Sequence, residues 1–190
     1  MEEVKIIGEN LIKLYWNIYG FAPCKLNSIC ELKSGKDYRY LNKGNIPVYA
    51  SGGVIVYVDS FLYDKPTIIL HTKGSIQNIF YVDFPFWCVS SSFYLIPNKN
   101  VVRLKYLYYY LQNIHLEKFS VSATVPGIKK TEIEKLIINL PPVNKQDEII
   151  SQLDAYNKLL NNNDKKETNL KIQYEEYRNK LLIFKRKSNE

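Results

Sequence analysis

Three short stretches of the sequence contain residue types that could carry out chemistry, and each lacks part of the arrangement required. NLPPV at residues 139–143 is similar to the Asn-Pro-Pro-aromatic motif that holds a flipped base in DNA methyltransferases, but Leu140 is inserted and no aromatic residue follows. ELK at residues 31–33 supplies half of a magnesium-dependent nuclease motif, and the nearest acidic residue before it is Glu9. SGG at residues 51–53 lacks the Gly-Lys-Ser/Thr of a phosphate-binding loop. The sequence therefore predicts a chain that is not an enzyme, and a structural turn at SGG.

The histidines and cysteines do not form a metal site or a disulfide framework either. His71 and His115 are the two histidines, and neither has the spacing of a metal ligand. Cys24, Cys30 and Cys88 are odd in number and include no C-x-x-C pair. We expect no catalytic residue, no metal and no cofactor, and we expect buried free thiols in a protein of the reducing cytoplasm.

The charge of the chain suits a polyanionic partner. The formal net charge is +7, and residues 1–143 contribute 16 Lys and Arg against 11 Asp and Glu, whereas residues 144–190 contribute 10 against 8. Most of the excess therefore belongs to the first part, which favours a nucleic-acid partner for that part. No apolar run approaches the roughly 20 residues of a membrane span, and the N-terminus lacks the pattern of a secretory signal.

The pattern of residues 1–143 predicts a mixed α/β fold that is rich in strands. Short segments of Val, Ile, Tyr and Phe, separated by turn residues, predict strands at residues 45–50, 54–58, 67–70, 79–82 and 86–95. Leucines at helical spacing predict a helix over residues 102–113, whose many tyrosines suit packing. Thr131 and Glu134 have the spacing of a capping box, which predicts the start of a helix. After it, a short strand is predicted that ends at Pro141 and Pro142.

From Asn144 onward the pattern changes to a heptad repeat that predicts a long C-terminal coiled-coil helix. Apolar or tyrosine residues occupy nine of the eleven positions that follow one another at alternating steps of four and three from Ile149 to Phe184. A straight helix over this range would be about 53 Å long and would extend beyond its own domain. An apolar seam of that length needs a second helix, so we expect dimerisation. The dimerisation residues predicted from the seam are Ile149, Leu153, Tyr156, Leu160, Asn163, Leu170, Tyr174, Tyr177, Leu181 and Phe184.

Two alternatives to a continuous paired helix remain open at this point. One is an amphipathic helix that packs on its own domain. The other is a break near Asn161, Asn162 and Asn163, which would let two shorter helices meet. The predicted division is thus a compact domain over residues 1–143 and a helical dimerisation and spacer region over residues 144–190.

Six segments, in order, resemble the specificity subunit of type I restriction–modification systems. They cover residues 46–59, 66–76, 85–97, 105–113, 123–149 and 174–184, and the resemblance as a whole extends over about residues 21–184. Residues 123–149 are the closest match, although Lys145-Gln146 stands where a Glu-Gln pair is usual. Members of the family usually carry two target-recognition domains and two long helices, so this chain, with one of each, looks like a half-subunit.

The resemblance implies a sequence-specific DNA-binding role without catalysis. The target-recognition domain would read one half of a split site on double-stranded DNA, and the helix would act as a ruler and dock methyltransferase subunits, with a restriction subunit as a further candidate partner. An antiparallel homodimer would hold two domains about 50 Å apart, or roughly 15 base pairs, over a palindromic interrupted site. The alternatives are a coiled-coil adaptor that binds protein, and an unpaired recognition cassette.

The residues expected to contact DNA come from polar loops, because strands and helices mostly face the core. Arg39 is expected to contact a base edge, and Ser51 and Gly52 are expected to bring the backbone close to the duplex. The five lysines among the candidates listed next are expected to contact phosphates. The candidate residues are Lys36, Arg39, Tyr40, Lys43, Ser51, Gly52, Thr72, Lys73, Ser75, Lys129 and Lys130.

Overall fold

The computed structural model describes residues 2–120, 127–161 and 167–184, and the chain divides into two compact units. The helical unit comprises Met1–Cys24, Lys99–Asn113 and Ile137–Glu190, and the sheet unit comprises Lys25–Asn98 and Ile114–Leu136. Each unit is therefore assembled from segments that are separated in sequence. The functional division predicted at residues 143 and 144 stays a prediction.

The elements confirm a mixed α/β fold. Their order is α1 (Glu2–Tyr19), β1 (Ala22–Lys25), α2 (Leu26–Ile29), β2 (Cys30–Ser34), β3 (Lys43–Ala50), β4 (Gly53–Val58), β5 (Thr67–His71), β6 (Phe80–Val82), β7 (Trp87–Cys88), β8 (Ser92–Pro97), α3 (Leu104–Ile114), a 3₁₀ helix (Leu116–Phe119), α4 (Lys130–Glu134), β9 (Ile137–Leu140), α5 (Val143–Asn161) and α6 (Glu167–Leu182).

The core of the helical unit forms around α3, α5 and the two-stranded sheet of β1 and β9. Helix α3 confirms the helix predicted from leucine spacing, and Leu107 and Leu111 are fully buried. Tyr106 is also buried, and its hydroxyl donates to the backbone oxygen of Asn139 at 2.6 Å. A tyrosine is tolerated in such a core because its hydroxyl finds an acceptor there, which confirms the packing role predicted for this residue.

The prediction of one continuous C-terminal helix is wrong. Helix α5 ends at Asn161 and α6 begins at Glu167, and the rings of Tyr156 and Tyr174 lie 5.6 Å apart. In a single straight helix these residues would be about 27 Å apart along the axis. The Tyr177 hydroxyl also donates to Gln152 at 3.0 Å, so the two helices run antiparallel and pack against each other. The alternative with two shorter helices describes the chain.

Helix α1 was not assigned from the sequence, and it leaves a stripe of apolar side chains exposed. Its inner side is held by a 2.8 Å hydrogen bond from the Trp16 indole to the backbone oxygen of Leu140, and Asn100 donates to the Glu9 carboxylate at 3.2 Å. Four of the exposed residues recur at steps of four and three, which is the spacing of one helix face. The exposed apolar residues are Ile6, Ile7, Leu11, Leu14, Tyr15 and Ile18.

The sheet unit contains two sheets. The four-stranded sheet has the order β2-β8-β5-β6 and is antiparallel throughout, and in the three-stranded sheet β4-β3-β7 the central β3 is antiparallel to β4 and parallel to β7. The single strand predicted over residues 86–95 is instead two strands, β7 and β8, which belong to different sheets. The other four predicted strands are confirmed as β3, β4, β5 and β6.

Strand β5 forms the centre of the sheet unit, and all five of its residues are buried. Its polar residues have partners: the Thr67 hydroxyl donates to the backbone oxygen of Leu95 at 2.7 Å, and Nδ1 of His71 lies 2.8 Å from the Ser92 hydroxyl. A central antiparallel strand covered on both faces excludes water, so buried polar groups there mostly pair within the protein, and Nε2 of His71 is the exception among the described residues. The sheet unit therefore offers a rigid base for its loops.

The predicted capping box at Thr131 is wrong. Helix α4 begins at Lys130 with Lys129 at the N-cap position, and no side chain caps it. Thr131 is the second helical residue and so cannot act as the cap. Instead, Lys130 and Glu134, one turn apart, form an ion pair at 3.6 Å.

Candidate nucleic-acid interface

The loop between β2 and β3 is fixed to the sheets at its first residues. The backbone N–H of Gly35 donates to Ser92 at 2.8 Å, that of Lys36 donates to Cys88 at 3.0 Å, and the Trp87 indole donates to the backbone oxygen of Lys36 at 3.0 Å. A Cβ on Gly35 would lie 2.2 Å from the backbone oxygen of Val89, so only glycine fits. These bonds hold one end of the loop that carries Lys36, Arg39, Tyr40 and Lys43.

Within this loop Arg39 is paired with Asp37. Nε and Nη2 of Arg39 each donate to the Asp37 carboxylate at 2.9 Å, and the backbone N–H of Arg39 donates to the same carboxylate at 3.1 Å. These hydrogen bonds lower the pKa of the Asp37 carboxyl, so it is ionised at neutral pH. The sequence analysis named Arg39 and missed Asp37, although an acid two residues before an arginine is a visible signal.

An open cleft of ≈ 500 Å³ lies between this loop and β4. Arg39 and Lys43 line it together with the rings of Tyr38 and Tyr57. The ring of Tyr40 meets that of Trp87 edge to face at 6.2 Å and is otherwise exposed. The cleft thus combines cationic groups with aromatic rings, a combination that suits a nucleic-acid surface.

The turn at residues 51–53 is structural and contacts a second candidate loop. Ala50 pairs with Gly53, which has a φ of 113°, so the turn needs glycine there, as the sequence predicts. The Asn78 side chain donates to the backbone oxygen of Ser51 at 2.7 Å. A Cβ on Gly74, whose φ is 79°, would lie 2.5 Å from the Ser51 hydroxyl. The β3–β4 turn therefore packs closely on the loop after β5.

The segment before α4 joins the same group. The backbone N–H of Ile128 donates to Thr72 at 3.0 Å, and Lys73 pairs with Gly127 in an isolated β-bridge. The ammonium of Lys130 lies 5.4 Å from the centre of the Phe93 ring, within range of a cation–π contact. Lys130 is therefore held by a ring as well as by its ion pair, and Lys129 precedes it directly.

The predicted DNA-contacting residues thus fall into two groups of loops in the sheet unit. Arg39 and Lys43 line the cleft beside the start of β3, whereas Lys36 lies beside Cys88, which pairs with Tyr49 near the end of β3. The loop cluster contains Lys36, Arg39, Tyr40 and Lys43. The turn cluster contains Ser51, Gly52, Thr72, Lys73, Ser75, Lys129 and Lys130. From Lys43 to Ala50 the strand rises about 23 Å, which corresponds to about seven base pairs of duplex.

The predicted dimerisation residues have several different environments. Ile149, Leu153 and Tyr174 are buried within the helical unit, and the half-buried residues are Tyr156, Leu181 and Phe184, whereas Tyr177 is exposed. Asn163 and the side chains of Leu160 and Leu170 lie outside the described residues. Since α5 and α6 already pair within the chain, an unpaired seam no longer requires a second copy; dimerisation itself stays a prediction.

Gln146 has a structural role that was not predicted from the sequence, where it was noted only as part of the Lys145-Gln146 pair. Its side chain is 0% exposed, and Nε2 donates to the backbone oxygens of Val101 and Pro141 at 2.8 and 2.9 Å. Its Oε1 accepts from the backbone N–H of Arg103 at 2.8 Å. Gln146 therefore ties the backbone at residues 101–103 to the backbone at Pro141 within the helical unit.

The three cysteines are buried free thiols, as predicted. Burial raises the pKa of Cys24 to about 11 and those of Cys30 and Cys88 to about 12. In the described part of the chain no group of His, Cys, Asp and Glu could hold a metal ion. Among the same residues no helix has both the length and the apolar character to cross a bilayer.

Basic side chains on loops beside aromatic rings are a feature that nucleic-acid-binding domains share. Residues 20–185 match the family described as "Type I restriction modification DNA specificity domain". The chain therefore belongs to this family, which confirms the resemblance found in the sequence.

Known proteins resemble the chain in sequence and in fold. It is 29% identical over 164 residues to a putative type I specificity subunit of Mycoplasma pneumoniae, covering 80% of this chain and 53% of that protein. It is 26% identical over 116 residues to a putative type I restriction enzyme specificity subunit of Haemophilus influenzae, covering 59% of this chain and 30% of that protein. The crystal structure of a type I restriction–modification S subunit from M. genitalium has a TM-score of 0.66 at 22% identity, covering 77% of this chain and 41% of that one. The chain thus spans about half the length, or less, of these relatives.

Proposed function

We propose that this chain is a sequence-specific DNA-binding specificity subunit, or part of one, of a type I restriction–modification system. It reads one half of a bipartite site and catalyses no reaction itself. The observation that supports the proposal is the cleft that Arg39 and Lys43 line together with Tyr38 and Tyr57, within residues that match the DNA specificity family. Such a role also fits the cytoplasmic location that the cysteine content predicts.

The phosphate contacts in this proposal come from lysines on fixed loops. Lys73 is exposed, and its backbone is tied to Gly127, so its charge is presented on a fixed loop. Lys36 follows Gly35, whose backbone N–H donates to Ser92, and the backbone N–H of Lys36 itself donates to Cys88. Loops that are ordered before binding lose less conformational freedom when the duplex arrives.

The proposed protein partners are methyltransferase subunits, which dock on the helical region, and a restriction subunit as a further member of the complex. The described part of α6 leaves Ile172 and Tyr177 exposed after it has packed on α5. Exposed apolar side chains on a helix favour contact with another protein. These partners are proposed from the family and from this surface.

We further propose that two copies of the chain pair through their C-terminal helices in an antiparallel arrangement. The contacts that Tyr156 makes with Tyr174 and Tyr177 inside one chain could equally form between two chains if α6 of each copy packed on α5 of the other, an exchange that gives a two-fold dimer. A two-fold dimer would match a palindromic, interrupted DNA site.

DNA binding by the full chain is expected to depend steeply on salt. With about five phosphate contacts, one for each candidate lysine, affinity for duplex DNA should fall about 500-fold between about 50 and 200 mM salt, because bound counterions are released. Replacing Lys73 by alanine should reduce the slope of log affinity against log salt by about one. Fluorescence anisotropy with a labelled duplex measures both.

The matched control for this prediction is Lys65→Ala, which removes an exposed lysine of the same unit from outside both clusters. Its salt slope should equal that of the wild type. An adaptor that binds only protein would show no duplex binding even at low salt, and that result would refute the DNA-reading function.

The proposed dimer predicts a solution mass of twice 22.3 kDa, measured by sedimentation equilibrium. Leu160→Asp combined with Leu170→Asp should give a monomer, since charged residues on the seam oppose helix pairing. A wild-type chain that sediments as a monomer at every concentration, or a double variant that remains dimeric, would contradict pairing through this seam.

A further inference from the structure

We infer that Asp37 is a positioning residue that orients Arg39 to recognise a guanine base. The inference rests on the DNA-reading function proposed above and names a specificity for one part of that site. It is carried by the geometry of the Asp37–Arg39 pair in the loop cluster.

The carboxylate of Asp37 fixes both the backbone and the side chain of Arg39. One oxygen accepts from the backbone N–H of Arg39 at 3.1 Å and from Nε at 2.9 Å, and the other accepts from Nη2 at 2.9 Å. The Arg39 side chain is nevertheless 79% exposed, whereas that of Asp37 is 48% exposed. The guanidinium is thus oriented by one edge while most of it faces solvent.

The hydrogen atoms left free on Arg39 define what it can recognise. A guanidinium has five N–H donors, and Asp37 takes the one on Nε and one on Nη2. Two donors on Nη1 and one on Nη2 remain, and the Nη2 donor with one of the Nη1 donors forms a second parallel fork at the end of the side chain. In the major groove, guanine presents two adjacent acceptors, N7 and O6, whereas adenine presents an acceptor beside a donor, thymine a single acceptor and cytosine a donor. Only guanine satisfies both arms of the fork.

The same carboxylate weakens the competing use of Arg39 as a phosphate contact. A phosphate could also accept two hydrogen bonds, but it is anionic and would approach a second anion, Asp37, which is ionised at neutral pH. The Asp37–Arg39 pair is neutral as a whole, so its attraction to phosphate is largely offset. A guanine edge carries no net charge and avoids this repulsion.

The surroundings of the pair supply the remaining requirements of a base contact. The backbone N–H of Leu41 donates to Tyr38 at 2.9 Å, which forms a turn around Arg39. Arg39 lines the ≈ 500 Å³ cleft together with Lys43 and Tyr57. A lysine for phosphate and a ring for sugar or base therefore lie beside the fork.

Selection from a pool of randomised duplexes tests this inference with the full-length chain. The wild type should enrich duplexes that carry guanine at one defined position. Arg39→Ala should lose the preference at that position alone. Asp37→Asn should reduce the guanine-to-adenine ratio there by about tenfold, the loss of one bidentate base contact, while its affinity for random duplex rises. Asp64→Asn, which changes an exposed acid of the same unit outside both clusters, should leave the ratio unchanged.

The outcomes separate the inference from the function on which it rests. If the wild type enriches a sequence but Arg39→Ala and Asp37→Asn retain its guanine, the inference is wrong and the DNA-reading function stands. If Asp37→Asn weakens binding equally at every position, Asp37 only maintains the loop, which also overturns the inference. If the wild type enriches nothing, the DNA-reading function itself fails.

Discussion

Replacing Gln146 by leucine is expected to lower the free energy of unfolding by about 3–5 kcal/mol. The three hydrogen bonds of its fully buried amide satisfy the backbone groups of Val101, Arg103 and Pro141. Leucine fills a similar volume but leaves these backbone groups without partners. Each unsatisfied group costs about 1–3 kcal/mol, and local relaxation of the chain reduces the total cost. Urea unfolding followed by circular dichroism measures the change.

The matched control is Gln77→Leu, which makes the same substitution at an exposed turn position of the sheet unit. Its free energy of unfolding should stay within about 0.5 kcal/mol of the wild type. If Gln146→Leu were as mild as Gln77→Leu, the amide would not hold the two segments together, and the account of this core would be wrong.

Acidification is expected to remove about 3 kcal/mol of stability through His71. Burial lowers the pKa of His71 in the folded protein from 6.5 to about 4. Its Nδ1 lies 2.8 Å from the Ser92 hydroxyl, and Nε2 is buried without a hydrogen-bond partner in the described structure. Between pH 6.5 and about 4 the unfolded chain binds a proton that the folded chain does not. This contribution is therefore fully present above pH 6.5 and is lost as the pH falls towards 4.

The measurement is the pH dependence of the unfolding free energy for wild type, His71→Gln and His115→Gln. His71→Gln should flatten the slope between pH 6.5 and 4, because it removes the titrating group. His115 is about half exposed and lies 3.1 Å from Glu117, and its replacement should leave most of the slope in place. An unchanged slope in His71→Gln would show that other groups govern the acid response.

The sequence predicted the strands better than the C-terminal helix, for a physical reason. Strands β3 and β4 flank a turn in which Gly53 has a positive φ, and local residue types determine such a hairpin. A heptad seam shows only that a helix needs an apolar partner, and does not say whether the partner belongs to the same chain. Here Tyr174 pairs with Tyr156 of the same chain, which periodicity could not reveal.

The candidate site could be predicted residue by residue but not as an arrangement. Loop composition pointed to Lys73 and Lys129, yet their grouping depends on the bridge from Lys73 to Gly127. Asp37 was missed because a search for DNA contacts by positive charge passes over the acid that orients an arginine. The bridge from Lys73 to Gly127 is set by tertiary contacts that one sequence does not display, whereas Asp37 lies two residues from Arg39 and could have been found from the sequence.

The interleaving of the two units along the chain determines how a new DNA specificity could be transplanted. A chimera that moves the whole sheet unit must exchange two stretches, Lys25–Asn98 and Ile114–Leu136. A single crossover near residue 143 would instead place a foreign α3 against the resident α5, where Arg103 pairs with Asp147 and Lys105 with Asp154. Grafts cut at the four boundaries between the units, after residues 24, 98, 113 and 136, should therefore leave the helical unit of the recipient intact.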